Sequence, residues 1–260
     1  MISTLRHGWI ITERDLLHWV RQPAGPIFGL MFSIMLLLMF ALLFGGAMEV
    51  PGGGSYLGFL LPGIIALTMM FGIETTMTAM GQDARKGITD RFRSMPIGSG
   101  AVALGRACAD MVNSAVQVAT LLVVGLLIGW RTGSGLGSVV LAVALLLWLR
   151  FAVLWIGIFL GLVLPGEGTT TAVQVLVWPV GFLSNVFVAP ETMPGWLAPF
   201  ADWNPVSATA TAVRDLFGSP TGVTDGVLLT HPVLLATLWP AVLVAVFLPL
   251  SARAYRRLRR

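Results

Sequence analysis

"PIFGLMFSIMLLLMFALLFGG", residues 26–46, contains no charged side chain and a single hydroxyl, Ser33. Wound as an α-helix, a run of this length rises about 30 Å, the thickness of a bilayer's hydrocarbon core. In a soluble protein such a helix would need cover on every side, and this chain lacks the polar surface to supply it. Of its 260 residues 56% are hydrophobic and 11% charged, against about 25% charged in an average soluble domain. The run therefore reads as a membrane span.

Working outward from it, five more apolar runs appear, so the expected spans are 26–47, 56–80, 102–129, 137–164, 171–188 and 232–250. Each is continuously apolar rather than alternating, which makes it a helix and not a barrel strand. The expected fold class is all-α, a polytopic membrane protein with six transmembrane helices. A secretory signal has an apolar core of about 7–15 residues. The first run here is longer and follows some 25 patterned residues, so it reads as an uncleaved span.

Lys and Arg mark the cytoplasmic flanks of spans. With the N-terminus inside, thirteen of the 16 cations fall on inner segments: Arg6, Arg14, Arg21, then Arg85, Lys86, Arg91, Arg93, Arg106, then Arg253, Arg256, Arg257, Arg259 and Arg260. The outer segments hold only Arg131 and Arg214, and Arg150 lies within the fourth span. Both termini are thus expected in the cytoplasm of a multi-pass cell membrane protein. The net charge is only +4 and the basic clusters adjoin apolar spans, so they point to the lipid bilayer and not to nucleic acid.

Three flanking segments have patterns of their own. Residues 1–25 place Leu5, Trp9, Leu16 and Trp19 near one helical face, an amphipathic helix for the inner headgroup layer. Residues 251–260 form a basic cytoplasmic tail. Residues 189–230 are long for a hairpin, carry five prolines, and keep Trp196, Leu197, Phe200 and Trp203 for the outer interface. There Asn204 reads as an N-cap with Pro205 at the first helical position. The helix they start, 205–217, is expected to dip into or lie on the external membrane face.

The most polar interruption is "DARKGITDRFRSMPIGSG", residues 83–100. Ile88, Phe92 and Met95 recur at i, i+4 and i+7, one apolar stripe of a short helix, while Asp90, Arg91 and Arg93 project elsewhere. Pro96 and Gly98 end it. Such a helix either floats at the headgroups or inserts its stripe into a groove of a soluble partner.

Ionisable groups inside spans are costly and face the protein interior. Arg106 and Asp110, four apart, are placed to pair on one helix. Glu74 and Arg150 admit three readings: a structural pair between helices, a lining for the subunit interface or export path, or proton handling. The last would suit a proton-coupled secondary transporter using Glu74 and Arg150. Gly157 and Gly161 form a G-x-x-x-G that allows close helix approach. Cys108 reads as a small buried hydrophobe.

Enzymatic chemistry finds no foothold. The three histidines are scattered with no H-E-x-x-H spacing, and no G-x-x-x-x-G-K-[ST] phosphate loop occurs, Lys86 being the sole lysine. No cofactor or metal site is expected, and ATP hydrolysis would belong to another chain.

The run from Gly87 to Ile97, followed by Leu104-Gly105-Arg106, resembles the segment after the second span in ABC-2 type permeases, especially the daunorubicin-resistance (DrrB/DrrC-like) group. The external "PGWLAPFADWNP", 194–205, and "ATAVRDLF", 210–217, with Trp196, Asn204, Pro205 and Arg214, are similar to the same family. The resemblance covers nearly the whole chain. It implies a single transmembrane domain over 1–260, with residues 83–98 as a coupling helix seated in a separate ABC ATPase subunit. The coupling residues would be Gly87, Ile88, Asp90, Arg91, Phe92, Arg93, Met95 and Pro96. It further implies ATP and Mg on that partner, a second permease copy or homologue, and outward movement of a hydrophobic drug or lipid.

Overall fold

Continuously apolar segments leave the backbone one way to satisfy its own donors and acceptors inside hydrocarbon, and this chain takes it: the described residues are helical or in turns, with no strand among them. The computed structural model describes residues 9, 12–14, 16–17, 19, 21, 24–51, 53–85, 99–164, 166–223 and 227–257. The principal helices are α1 (Ala24–Phe44), α2 (Tyr56–Arg85), α3 (Ser99–Leu127), α4 (Leu136–Val163) and α5 (Glu167–Phe182). A 3-10 turn at Pro190–Thr192 follows, then α6 (Ala198–Asp202), α7 (Pro205–Leu216), α8 (Val227–Thr230) and α9 (Pro232–Arg257).

Five of these, α1, α2, α3, α4 and α9, are long and apolar enough to cross a membrane. The expected fifth span, 171–188, needs correction. Its helix, α5, has 16 residues and stops at Phe182, so it rises only about 24 Å at 1.5 Å per residue. The chain turns before Ser184 and Asn185, which are buried against protein and not set in a continuing helix.

Helix α2 is the axis of the bundle. Leu60, Leu61, Ile64, Ile65 and Met69 are buried on all sides of it, and its widest partner is α4. Glycines set that approach. A Cβ on Gly157 would stand 2.8 Å from the Ile73 carbonyl oxygen, and one on Gly161 would stand 2.8 Å from Met80 Cβ. The G-x-x-x-G face of α4 is therefore the seam to α2.

By contrast α1 turns Phe28, Met31, Met35 and Leu42 outward, and α9 does the same with Leu234, Leu238, Val242 and Val246. Such apolar exposure suits lipid and would be untenable in water. Cys108 also lies on the outer face of α3, which corrects the expectation that it packs inside.

The helix after Asn204 is capped as its sequence dictates: Asn204 Oδ1 accepts from Val206 N at 2.9 Å and Pro205 occupies the first turn. Its position corrects one alternative. Helix α7 does not lie on the surface; Val206 to Arg214 are all buried, against α2, α4 and α9. The run Ser207-Ala208-Thr209-Ala210-Thr211-Ala212 makes this feasible, because small side chains let a helix be packed on every side. Trp196 and Trp203 remain outside, 71% and 67% exposed, as interfacial aromatics would be.

In the N-terminal segment every described position is helical, and Thr12 Oγ1 donates to the Gly105 carbonyl oxygen at 3.0 Å, fastening it to α3. Trp9 is exposed and Trp19 half-buried, while Leu5 lies outside the described residues. Helix α9 runs on into the basic tail as far as Arg257.

Candidate functional site

The intramembrane charges meet where α2, α3 and α4 cross. Arg150 of α4 is buried; its Nη2 donates to Thr76 Oγ1 at 2.8 Å and stands 3.4 Å from Asp110 Oδ2, and its Nε donates to Ser114 Oγ at 3.0 Å. Thr76 Oγ1 in turn donates to Asp110 Oδ2 at 2.7 Å, and Ser114 Oγ to the Asp110 carbonyl oxygen at 2.8 Å. Each hydroxyl thus accepts from the cation and donates toward the acid. Arg106 Nε lies 3.4 Å from Asp110 Oδ1, the spacing expected of residues four apart.

Gly72 makes room for this. A Cβ there would fall 2.6 Å from Arg150 Nε and Nη1. The acid that answers Arg150 is therefore Asp110, and Glu74 stands apart: among the described residues its carboxylate makes no hydrogen bond and no ion pair.

Glu74 instead lines a cleft of about 290 Å3. Helices α1, α2, α3 and α5 wall it, with Arg150 at its back. One wall is aromatic: Phe32 and Trp178 meet at 5.5 Å edge to face, and Phe71 and Trp178 at 4.8 Å. The other is polar, with Ser33, Thr68, Asn113, Gln117 and Gln174. Thr68 Oγ1 donates to Ser33 Oγ at 3.0 Å, tying α2 to α1 beside the opening. Asn113, Gln117 and Gln174 were not singled out by sequence reading. Their signal was available, since Asn113 and Gln117 are four apart in an apolar run and must share a helix face.

A second cluster lies by the first turn of α2. Arg214, completely buried, has no carboxylate partner among the described residues and is held by carbonyl oxygens: Nε to Phe59 at 2.7 Å, Nη2 to Asn185 at 2.9 Å and Val186 at 3.3 Å. Its guanidinium also lies 3.6 Å from the Phe59 ring centroid, a cation–π contact. Burial pushes the Arg214 guanidinium down to about 9, so it keeps its proton at neutral pH. Asn185 Nδ2 donates to Thr211 Oγ1 at 2.8 Å, and Asn204 Nδ2 to the Val180 carbonyl oxygen at 2.8 Å. Asn204 and Arg214 thereby bind α7 to the end of α5 and the start of α2, and Trp196 takes no part. Asn185 escaped sequence reading because it was absorbed into the apolar run 171–188.

The eight residues proposed on sequence grounds to couple to an ATPase, Gly87, Ile88, Asp90, Arg91, Phe92, Arg93, Met95 and Pro96, lie outside the described residues. The structure brings together Arg106, Asp110 and Arg150, sets Glu74 on the neighbouring cleft, and places Asn204 and Arg214 in a separate lock around α7.

Comparison with known proteins follows the same lines. Residues 6–217 match the family model described as ABC-2 type transporter. The chain is 36% identical over 255 residues, 98% of its length and 86% of the relative's, to the daunorubicin resistance ABC transporter permease protein DrrB1 of Streptomyces coeruleorubidus. It is 23% identical over 253 residues to a probable doxorubicin resistance ABC transporter permease protein, DrrC, of Mycobacterium tuberculosis, covering 95% of this chain and 87% of that one. It is 25% identical over 213 residues to a putative transport permease, ycf38, of Cyanophora paradoxa, covering 80% of this chain and 73% of that one. A chain with membrane-spanning helices, a buried charge cluster and these relatives belongs to the ABC-2 type transporter family.

Proposed function

We propose that this protein is the permease subunit of an ATP-driven exporter that moves a hydrophobic or amphiphilic molecule, a drug or a lipid, outward across the cytoplasmic membrane. The observation that carries this is the breadth of the likeness: 36% identity to a drug-resistance permease extends over 98% of the chain. The whole chain, 1–260, acts as one transmembrane domain with both termini in the cytoplasm, supported by thirteen of 16 cations on the inner segments.

The motor is a separate ABC ATPase subunit that binds ATP and Mg, and this chain is the non-catalytic partner. Residues 83–98 form the contact, with Ile88, Phe92 and Met95 as the stripe that enters the motor and Asp90, Arg91 and Arg93 around it. Two permeases, identical or homologous, flank the path. Closure of the motors on ATP pushes this contact and tilts the spans, and the seam between α2 and α4 carries the push to the charge cluster and the cleft.

The test is reconstitution. Vesicles holding the permease and its motor should accumulate a fluorescent amphiphile with ATP, whether or not a protonophore is present. Full-rate transport by the permease alone, driven by a proton gradient, would sink the proposal and favour the secondary transporter.

A further inference from the structure

A carboxylate without a partner is costly at membrane depth, because lipid offers it no hydrogen bond. Glu74 is such a group among the described residues, half-buried on the wall of the cleft. Arg150, which also reaches the cleft, does not pair with it: its charge is answered by Asp110, and its Nη1 is enclosed by protein. An acceptor is thus left open in a cleft that the rings of Phe32, Phe71 and Trp178 also line.

We infer that this cleft binds a cationic aromatic amphiphile within the bilayer, with Glu74 as the counter-charge for its amine. The ring system lies against Trp178 and Phe71. Size decides between candidate classes. A cleft of about 290 Å3 lies at the small end of the range for drug-sized ligands and is too small for the paired acyl chains of a lipid. Charge decides as well: an anionic headgroup would face the Glu74 carboxylate, while Arg150 is enclosed by protein and held by Asp110, Thr76 and Ser114. The inference rests on the exporter reading and deepens it to a ligand class and a recognition residue.

The test uses the full chain with its motor in nanodiscs and two planar probes of nearly equal shape, 9-aminoacridine, protonated at neutral pH, and acridone, uncharged. Wild type should bind 9-aminoacridine about tenfold more tightly than acridone, the scale of one charge-assisted hydrogen bond. Glu74→Gln should abolish that preference and leave acridone affinity unchanged, while Glu74→Asp should keep part of it. Absence of any preference in wild type overturns the inference, as does an unchanged preference in Glu74→Gln. Equal loss of both probes in both variants also overturns it, because Glu74 would then shape the fold and not the ligand. ATP-driven efflux from vesicles made with the same proteins separates the two readings. Glu74-dependent binding without any efflux sinks the exporter alone; efflux with unaltered binding in Glu74→Gln sinks the cleft alone.

Discussion

Arg214 Nε donates to the Phe59 carbonyl oxygen at 2.7 Å, joining helix α7 to the first turn of α2, 155 positions earlier in the chain. With its bonds to Asn185 and Val186, this one side chain holds three segments together. Truncation leaves buried carbonyls unsatisfied and a void beside Phe59. Arg214→Ala should therefore lose about 3 kcal/mol or more and melt well below wild type in detergent. Arg214→Lys should fall between them, since one ammonium cannot span the fork. Wild-type melting of Arg214→Ala would show that the lock is dispensable.

The Asp110–Arg150 pair calls for a different experiment, because the worth of a buried ion pair differs from the cost of breaking it. Removing Asp110 leaves Arg150 without a carboxylate, at about 3–5 kcal/mol, whereas removing Arg150 leaves Asp110 its contact with Arg106. Asp110→Asn should therefore lower folded yield sharply and Arg150→Met less so, while the double variant should recover part of the Asp110→Asn loss. Strict additivity across this cycle would show that the two side chains act independently.

At the seam between α4 and α2, Gly157→Val should cost about 1–3 kcal/mol by overpacking, because its Cβ would strike the Ile73 carbonyl oxygen and Thr76. Gly137→Ala, at the open start of the same helix, meets no atom within 4 Å and should be neutral. Thermal melting of the two proteins side by side checks this.

For coupling, Phe92→Ala with Arg91→Ala should leave the permease folded in the membrane yet abolish transport and stimulation of the ATPase. The measurement is ATPase rate and efflux in co-reconstituted vesicles. Undiminished efflux in that variant would remove residues 83–98 from the pathway of force.

Much of this architecture was legible in the residues. The spans 26–47, 56–80, 102–129, 137–164 and 232–250 overlap α1, α2, α3, α4 and α9, because charge exclusion and length are strong signals in hydrocarbon. The fifth span was drawn too long for a physical reason. Hydropathy counts Val186, Phe187 and Val188 as lipid-facing, whereas in the fold Val186 and Phe187 are covered by protein and the polar Asn185 between α5 and α7 donates through Nδ2 to Thr211. The burial of α7 was hidden for another reason: Val206, Ala210, Val213 and Phe217 make one apolar stripe that a helix on the membrane surface would show equally, and the small Ser, Ala and Thr side chains that let the rest be covered carry no such signal.

Pairings across helices are the least accessible from a single chain. Arg106 and Asp110 share a helix and their contact follows from spacing alone. That Arg150 turns to Asp110 and not Glu74 depends on which face of α3 meets α4, and on Gly72 leaving the guanidinium its space. Neither is encoded in any local pattern.

Cys108 is the single thiol of the chain and sits on the exposed face of α3, two residues from both Arg106 and Asp110. It offers native protein as its own labelled specimen: a nitroxide or fluorophore attached there needs no engineered background. Such a label would read out how far the end of α3 that carries Arg106 and Asp110 swings.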